Sequence, residues 1–250
     1  MPTQDLSGST AIVTGASRGL GRGVAGALSL AGAQVIGVAR DRTQLDEVRA
    51  ELGESFTPVV ADAADPVVAG QLIDAYQPRT IVLNAGARPL TRPIHQHTWD
   101  TFSRNWHVDV QQVFNWTREA LLRPLVPGST VIAFSSGAAV AGSPLSGGYA
   151  GAKAAIRFIA SYAATESERA ELGIKFTAVL PQLTPATDLG AAGVAAYAAR
   201  QGLDLATALE RFGPALTPEQ VGKAIVELAT DPSLGDTAYL LTTAGLATAS

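Results

Sequence analysis

The chain has 250 residues, of which 47% are hydrophobic and 16% charged, with a formal net charge of -4 and no cysteine. That composition excludes a disordered chain. With no basic cluster to follow a phosphate backbone, it also argues against nucleic acid as a partner, and it rules out every disulfide, thiolate or cysteine-metal chemistry.

Met1–Leu6 carries neither a basic nor an apolar run, so no signal peptide is expected. The most apolar long stretch, Val24–Ala39, is too short for a membrane span and is interrupted by Ser29, Gly32 and Gln34. The expectation is a cytoplasmic α/β protein with no membrane partner, residues 1–250 forming one domain.

In chain order, apolar β-like runs alternate with helical spacings. Strands are predicted at Thr10–Thr14, Gln34–Ala39, Phe56–Ala61, Thr80–Asn84, Thr130–Ser135, Ile174–Leu180 and Thr237–Leu241. Helices are predicted at Gly19–Ala31, Thr43–Leu52, Pro66–Tyr76, Val108–Arg123, Tyr149–Leu172 and Pro218–Thr230. Gly32, Pro124 and Gly173 supply helix stops, and Pro66 a helix start. Continuous apolar strands alternating with helices imply βαβ crossovers and a parallel sheet covered on both faces. Residues 183–216 have no clear assignment and read as a lid. Within them, the Ala-rich stretch Ala191–Arg200 reads as an amphipathic lid helix or as a helix with a small-residue packing face.

Thr14-Gly15-Ala16-Ser17-Arg18-Gly19-Leu20-Gly21 falls between the first strand and the first helix. Glycines there allow a tight turn and let backbone approach a pyrophosphate, while the helix N-terminus offers free N–H groups. Tyr149 and Lys153 are four residues apart on a predicted helix, hence on one face. A free phenol ionises near pH 10, and a neighbouring ammonium favours the phenolate. That makes Tyr149 a candidate proton donor or acceptor. Ser136, thirteen residues earlier, is placed to bond the same substrate oxygen. Ser135 competes for that role if the loop register shifts by one.

These residues resemble, in order and over nearly the whole chain, the short-chain dehydrogenase/reductase family. The glycine turn matches that family's cofactor loop. Asn84-Ala85-Gly86 matches its NAG motif, Asp62 the acid that meets the adenine ring, and Ser136, Tyr149 and Lys153 its catalytic group. The resemblance implies a Rossmann-type doubly wound parallel sheet of about seven strands in three αβα layers. It also implies a homodimer or homotetramer packed through the two long helices. The implied activity is hydride transfer between a nicotinamide dinucleotide and a small carbonyl or alcohol substrate, with Lys153 also holding the nicotinamide ribose. The implied cofactor residues are Gly15, Ser17, Arg18, Gly19, Leu20, Gly21, Arg40, Asp62, Ala63, Asn84, Ala85, Gly86, Tyr149, Lys153, Pro181, Leu183, Thr184 and Thr187.

Two departures stand out. The family's relay asparagine falls on Asp109, which reads either as a catalytic replacement or as a helix N-cap; Asn105 is an alternative for that role. The family's Pro-Gly is Pro181-Gln182, and either Thr184 or Thr187 takes the cofactor-contacting threonine's place. At the end of the second strand stands Ala39 followed by Arg40. With Arg18, this favours NADP(H) through charge-assisted bonds to a 2′-phosphate. Asp41 is the alternative, as the acid of an NAD(H) site. His95 and His97 lack a third ligand, so no metal is expected. Trp99, Trp106 and Trp116 read as packing residues. A dinucleotide-binding protein without turnover is the competing reading, motivated by Asp109 and Gln182.

Overall fold

The computed structural model describes residues 5–212 and 214–249. Met1–Gln4, part of the stretch read as lacking a leader, and Gly213, within the expected lid, lie outside the described residues. The strands are β1 (Thr10–Thr14), β2 (Gln34–Ala39), β3 (Phe56–Val60), β4 (Thr80–Leu83), β5 (Thr130–Phe134), β6 (Lys175–Pro181), β7 (Ala238–Thr242) and β8 (Gly245–Thr248). The helices are α1 (Gly19–Leu30), α2 (Arg42–Leu52), α3 (Pro66–Tyr76), α4 (Trp99–Ser103), α5 (Gln111–Leu122), α6 (Ala138–Ala141), α7 (Gly147–Arg169), α8 (Asp188–Arg200), α9 (Leu205–Phe212) and α10 (Pro218–Thr230).

The strands form one sheet in the order β3-β2-β1-β4-β5-β6-β7-β8. Pairing is parallel from β3 to β7. The last pair, β7 with β8, is antiparallel. This is the expected three-layer Rossmann-type architecture, with one antiparallel edge strand added to the seven.

Side chains alternate across the sheet, as a pleated strand requires. In β1, Ala11 and Val13 enter a core with Val24 and Leu28 of α1 and Ile225 of α10. Ile12 enters the opposite core with Ile73 of α3, Trp116 of α5 and Ile156 of α7. The helices begin where their caps dictate. Asp41 and Asp65 cap α2 and α3, and Thr217 with Gln220 forms a capping box on α10.

Strand order reverses between β1 and β4, so their following loops diverge to opposite faces and leave a crevice at the carboxyl edge. The glycine turn after β1 and the Asn84 loop after β4 both open there. The loops after β5 and β6 are tied together on the same edge, where Gly137 N–H donates to the Pro181 carbonyl at 3.0 Å.

Three departures from the sequence expectations bear on this edge. A π turn, Trp106–Val110, precedes α5, whereas a single helix was expected from Val108. Asp109 lies inside this turn and is not a helix N-cap; α5 is preceded by Val110, which makes no side-chain cap. The expected lid holds two helices, α8 and α9. Trp116 is fully buried, but Trp99 and Trp106 are 73% and 39% exposed and so do not pack in the core. Trp99 stacks instead on Phe102, 6.1 Å away.

Candidate active site

The glycine turn is shaped by positions that admit no side chain. Gly15 and Gly19 have φ of 68° and 55°, in the left-handed region. A Cβ on Gly15 would lie 2.8 Å from Asn84 Nδ2, and one on Gly21 would strike the Gly15 carbonyl. Arg18 precedes α1 in extended backbone and gives no side-chain cap. The first N–H groups of α1 therefore face the crevice without a side-chain acceptor, in a cradle that fits a pyrophosphate.

Asn84 joins the two loops of the crevice. Its Nδ2 donates to the carbonyls of Thr14 and Gly15, each at 3.2 Å. The buried Thr14 hydroxyl accepts the N–H groups of Asn84 at 3.0 Å and Ala85 at 3.1 Å. It donates in turn to Gln112 Oε1 at 2.9 Å, and Gln112 Nε2 donates to the Ala85 carbonyl. Gln112 was not singled out from sequence, because a glutamine early in an amphipathic helix reads as solvated. It is 1% exposed.

The Asp62–Ala63 loop is held from the same helix. Trp116 Nε1 donates to the Ala63 carbonyl at 3.0 Å, and Asn115 Nδ2 to the Ala64 carbonyl at 2.9 Å. Asp62 Oδ1 accepts the Ala64 N–H at 3.0 Å and the residue is exposed. At the end of β2, Arg40 is exposed, as is Arg18 in the glycine turn, while Ser17 donates to Gln44 Oε1 at 3.0 Å. Asp41 is committed to α2, accepting the Gln44 N–H at 3.1 Å.

Tyr149 and Lys153 sit in the first turns of α7, with Lys153 Nζ 5.5 Å from the Tyr149 ring centre. α7 reaches this depth because Gly148 passes the Phe102 carbonyl of α4, where a Cβ would collide. Lys153 is buried. Its Nζ donates to the Phe134 carbonyl at 2.9 Å and lies 3.2 Å from Asp109 Oδ2. Burial opposes the lysine's charge, but Asp109 and Tyr149 outweigh it and hold Lys153 above the ordinary lysine value. Asp109 Oδ1 accepts the Ala87 N–H at 2.8 Å, and Asn105 Nδ2 at 3.3 Å. Asn105 also donates to the Ala87 carbonyl at 2.7 Å, so both candidates for the relay position lie in one cluster. Gly86 leaves room for it: a Cβ there would come within 2.8 Å of Asp109 Oδ2.

The two serines after β5 differ. Ser135 is buried and donates to the Lys153 carbonyl at 2.7 Å. Ser136 is half-buried, and among the described residues its Oγ accepts only the local Ala138 N–H, at 3.2 Å. The two threonines after β6 differ as well. Thr184 is buried and donates to the Leu216 carbonyl at 2.7 Å. Thr187 caps α8, and its methyl group lies 3.8 Å from where a Cβ on Gly19 would stand, across from the glycine turn.

Leu183 is 38% exposed. It lines a cavity of about 260 Å³ with Val194, Tyr197 and Leu203 of the lid. The Tyr197 hydroxyl pairs with Ser143, fastening α8 to the segment that leads into α7. His97 Nδ1 lies 3.1 Å from the Thr101 hydroxyl. Among the described residues, no three His, Cys, Asp or Glu side chains converge on a metal position, and no helix is long and apolar enough to cross a membrane.

The glycine turn after β1 and the Tyr149–Lys153 pair, whose lysine reaches the end of β5, both stand at the carboxyl edge of the sheet. The profile of the short chain dehydrogenase family matches residues 9–197, and the chain belongs to that family. It is 33% identical to an L-xylulose reductase of Mus musculus over 129 residues, 50% of this chain and 52% of the relative. A carbonyl reductase [NADPH] 2 of Sus scrofa is 30% identical over 51% of this chain and 53% of its own length. The chain thus spans about half the length of these two relatives. A short-chain type dehydrogenase/reductase of Picea abies is 31% identical over 90% of this chain and 87% of its own.

Proposed function

We propose that the chain is an NADP(H)-dependent oxidoreductase that interconverts a carbonyl and an alcohol on a small substrate. The observation that supports this reading is the Tyr149–Lys153 pair at the carboxyl edge of the sheet, the edge on which the glycine turn also opens. When bound, the nicotinamide supplies or accepts the hydride at the substrate carbon. Tyr149 donates a proton to the substrate oxygen in reduction and takes it back in oxidation. Lys153 favours the phenolate that donation leaves behind. Ser136, free of the bond that occupies Ser135, orients the substrate oxygen. Asp109 holds Lys153 in place.

The dinucleotide would lie along Gly15, Ser17, Arg18, Gly19, Leu20 and Gly21. Asp62 and Ala63 serve the adenine end and Asn84, Ala85 and Gly86 the middle; Pro181, Leu183 and Thr187 serve the nicotinamide end. Thr184, bonded to Leu216, supports that last loop from behind. Exposure of Arg18 and Arg40, together with the commitment of Asp41 to its helix, supports NADP(H) over NAD(H). A relative whose name carries NADPH points the same way. The apolar lid cavity favours an uncharged substrate. Exposed Phe114 on α5 and Phe158 on α7 support a homodimer or homotetramer through those helices.

A second reading, a dinucleotide-binding protein without turnover, draws on the engagement of Lys153 by Asp109. The test is NADPH consumption with a panel of aldehydes and ketones. Carbonyl-dependent consumption that falls by about 10²-fold or more in Tyr149→Phe is expected. Tight NADPH binding without consumption across the panel would favour the second reading.

A further inference from the structure

Asp109 brings a negative charge into the catalytic cluster. It is 1% exposed, and its two oxygens are divided between the Ala87 N–H on one side and Lys153 Nζ on the other. Lys153 is 5% exposed, and its ammonium, which donates to the Phe134 carbonyl, lies 3.2 Å from Asp109 Oδ2 and 5.5 Å from the Tyr149 ring centre. A lone buried ammonium beside this ring would favour the phenolate, because little water screens it. A carboxylate 3.2 Å behind it makes the pair neutral overall. What reaches Tyr149 is then the weaker field of a dipole.

We infer that Asp109 is a positioning residue that offsets the Lys153 charge, keeping the proton on Tyr149 to higher pH than a neutral residue at 109 would allow. The inference rests on Tyr149 being the proton donor. Its consequence is a directional bias. The donor form needed for carbonyl reduction persists at neutral pH, and alcohol oxidation requires a more alkaline medium.

Arg157 of α7 donates to the Ala249 carbonyl at 3.2 Å, and the charged groups on the elements packed against α7 are exposed or engaged elsewhere. Of the elements packed on α7, α4 carries Asp100 and the π turn carries His107, both exposed. On α5, Arg118 pairs with Glu119. Lys175 of β6 turns away to the carbonyls of Leu228 and Leu234. Tyr239 of β7 accepts the Asp236 N–H.

The test is a pH titration of tyrosinate absorbance, with and without Tyr149→Phe, since the chain has five tyrosines and the difference isolates this one. It needs no turnover, so it remains decisive even if no carbonyl compound is reduced. Loss of the Tyr149 role would show separately, as turnover that survives Tyr149→Phe, and loss of the oxidoreductase reading as NADPH binding without consumption. In Asp109→Asn, the Tyr149 ionisation should move to lower pH by about one unit, and the alkaline limb of the reduction rate should move with it. No movement, or movement upward, overturns the inference. Because Asp109→Asn leaves a buried lysine without its partner, Asp109→Asn/Lys153→Gln provides a second route. Removing both charges should leave the Tyr149 ionisation within about half a unit of the parent. An upward move of a full unit or more would mean that Asp109 offsets nothing.

Discussion

The buried Gln112 side chain of α5 accepts the Thr14 hydroxyl at 2.9 Å, and the same hydroxyl holds the backbone N–H groups of Asn84 and Ala85. One glutamine thus braces both the end of β1 and the Asn84 loop. Gln112→Leu keeps the volume but strands the Ala85 carbonyl and leaves the Thr14 hydroxyl only the longer bond to the Val82 carbonyl, at 3.4 Å. Unpaired buried polar groups cost about 1–3 kcal/mol each. The variant should unfold at a lower denaturant concentration and bind NADPH more weakly. Unchanged midpoint and affinity would detach Gln112 from the cradle.

Thr184 and Thr187 should separate by assay. Thr184 is tied to Leu216 inside the fold, and Thr187 faces the glycine turn. Thr184→Val should lower stability by about 1–3 kcal/mol through the stranded Leu216 carbonyl. Thr187→Ser keeps the cap on α8 but removes the methyl group, and should alter NADPH affinity with little change in stability. The reverse pattern would exchange their roles.

How much of this was legible beforehand follows from which signals are local. The central strands announced themselves because they are buried on both faces and therefore continuously apolar, as in Ala11–Val13. Glycines 15, 19 and 21 stood out because their function is a local backbone shape. β8 did not, because Gly245–Thr248 is a short, exposed edge strand without an apolar run. The π turn was missed because it shifts the helical register between Asn105 and Gln111, which sequence spacing treats as uniform. That shift is also why Asp109 and Asn105 competed for one position and then turned out to share a cluster. The choices between Ser135 and Ser136, and between Thr184 and Thr187, depend on partners 18 and 32 residues away. Trp99 and Trp106 pack at the surface and not in the core, Trp99 on Phe102 and Trp106 beside Gly151 of α7.

Specificity between the two dinucleotides should rest on Arg18 and Arg40. Replacing both with Ala should weaken NADPH binding by about tenfold or more while leaving NADH nearly unaffected, since a hydrogen bond to a charged group is worth about 1.5–3 kcal/mol. Parallel fluorescence titrations would read this out. Equal losses for both dinucleotides would refute the assignment.

Stability should fall on the acid side. Asp231 is held below the ordinary carboxylate value by the Ser233 hydroxyl and N–H, and Asp204 by the Thr207 N–H and hydroxyl. A lowered folded value gives stability that is present above the unfolded value, about 3.9, and lost as pH falls through the folded one. Lys153, held above the ordinary lysine value, contributes fully throughout this range and adds no slope. Denaturant unfolding at a series of pH values should therefore show a decline below about pH 5 that is shallower in Asp231→Asn. An identical slope in that variant would remove Asp231 from the account.

The central claim is that the crevice between the glycine turn and Tyr149 is a dinucleotide site selective for NADP(H). Calorimetric titration of the purified chain with NADPH, and in parallel with NADH, tests it most directly. Saturable NADPH binding at one site per chain is expected, tighter than NADH by about tenfold or more. Saturable binding of neither dinucleotide would contradict it.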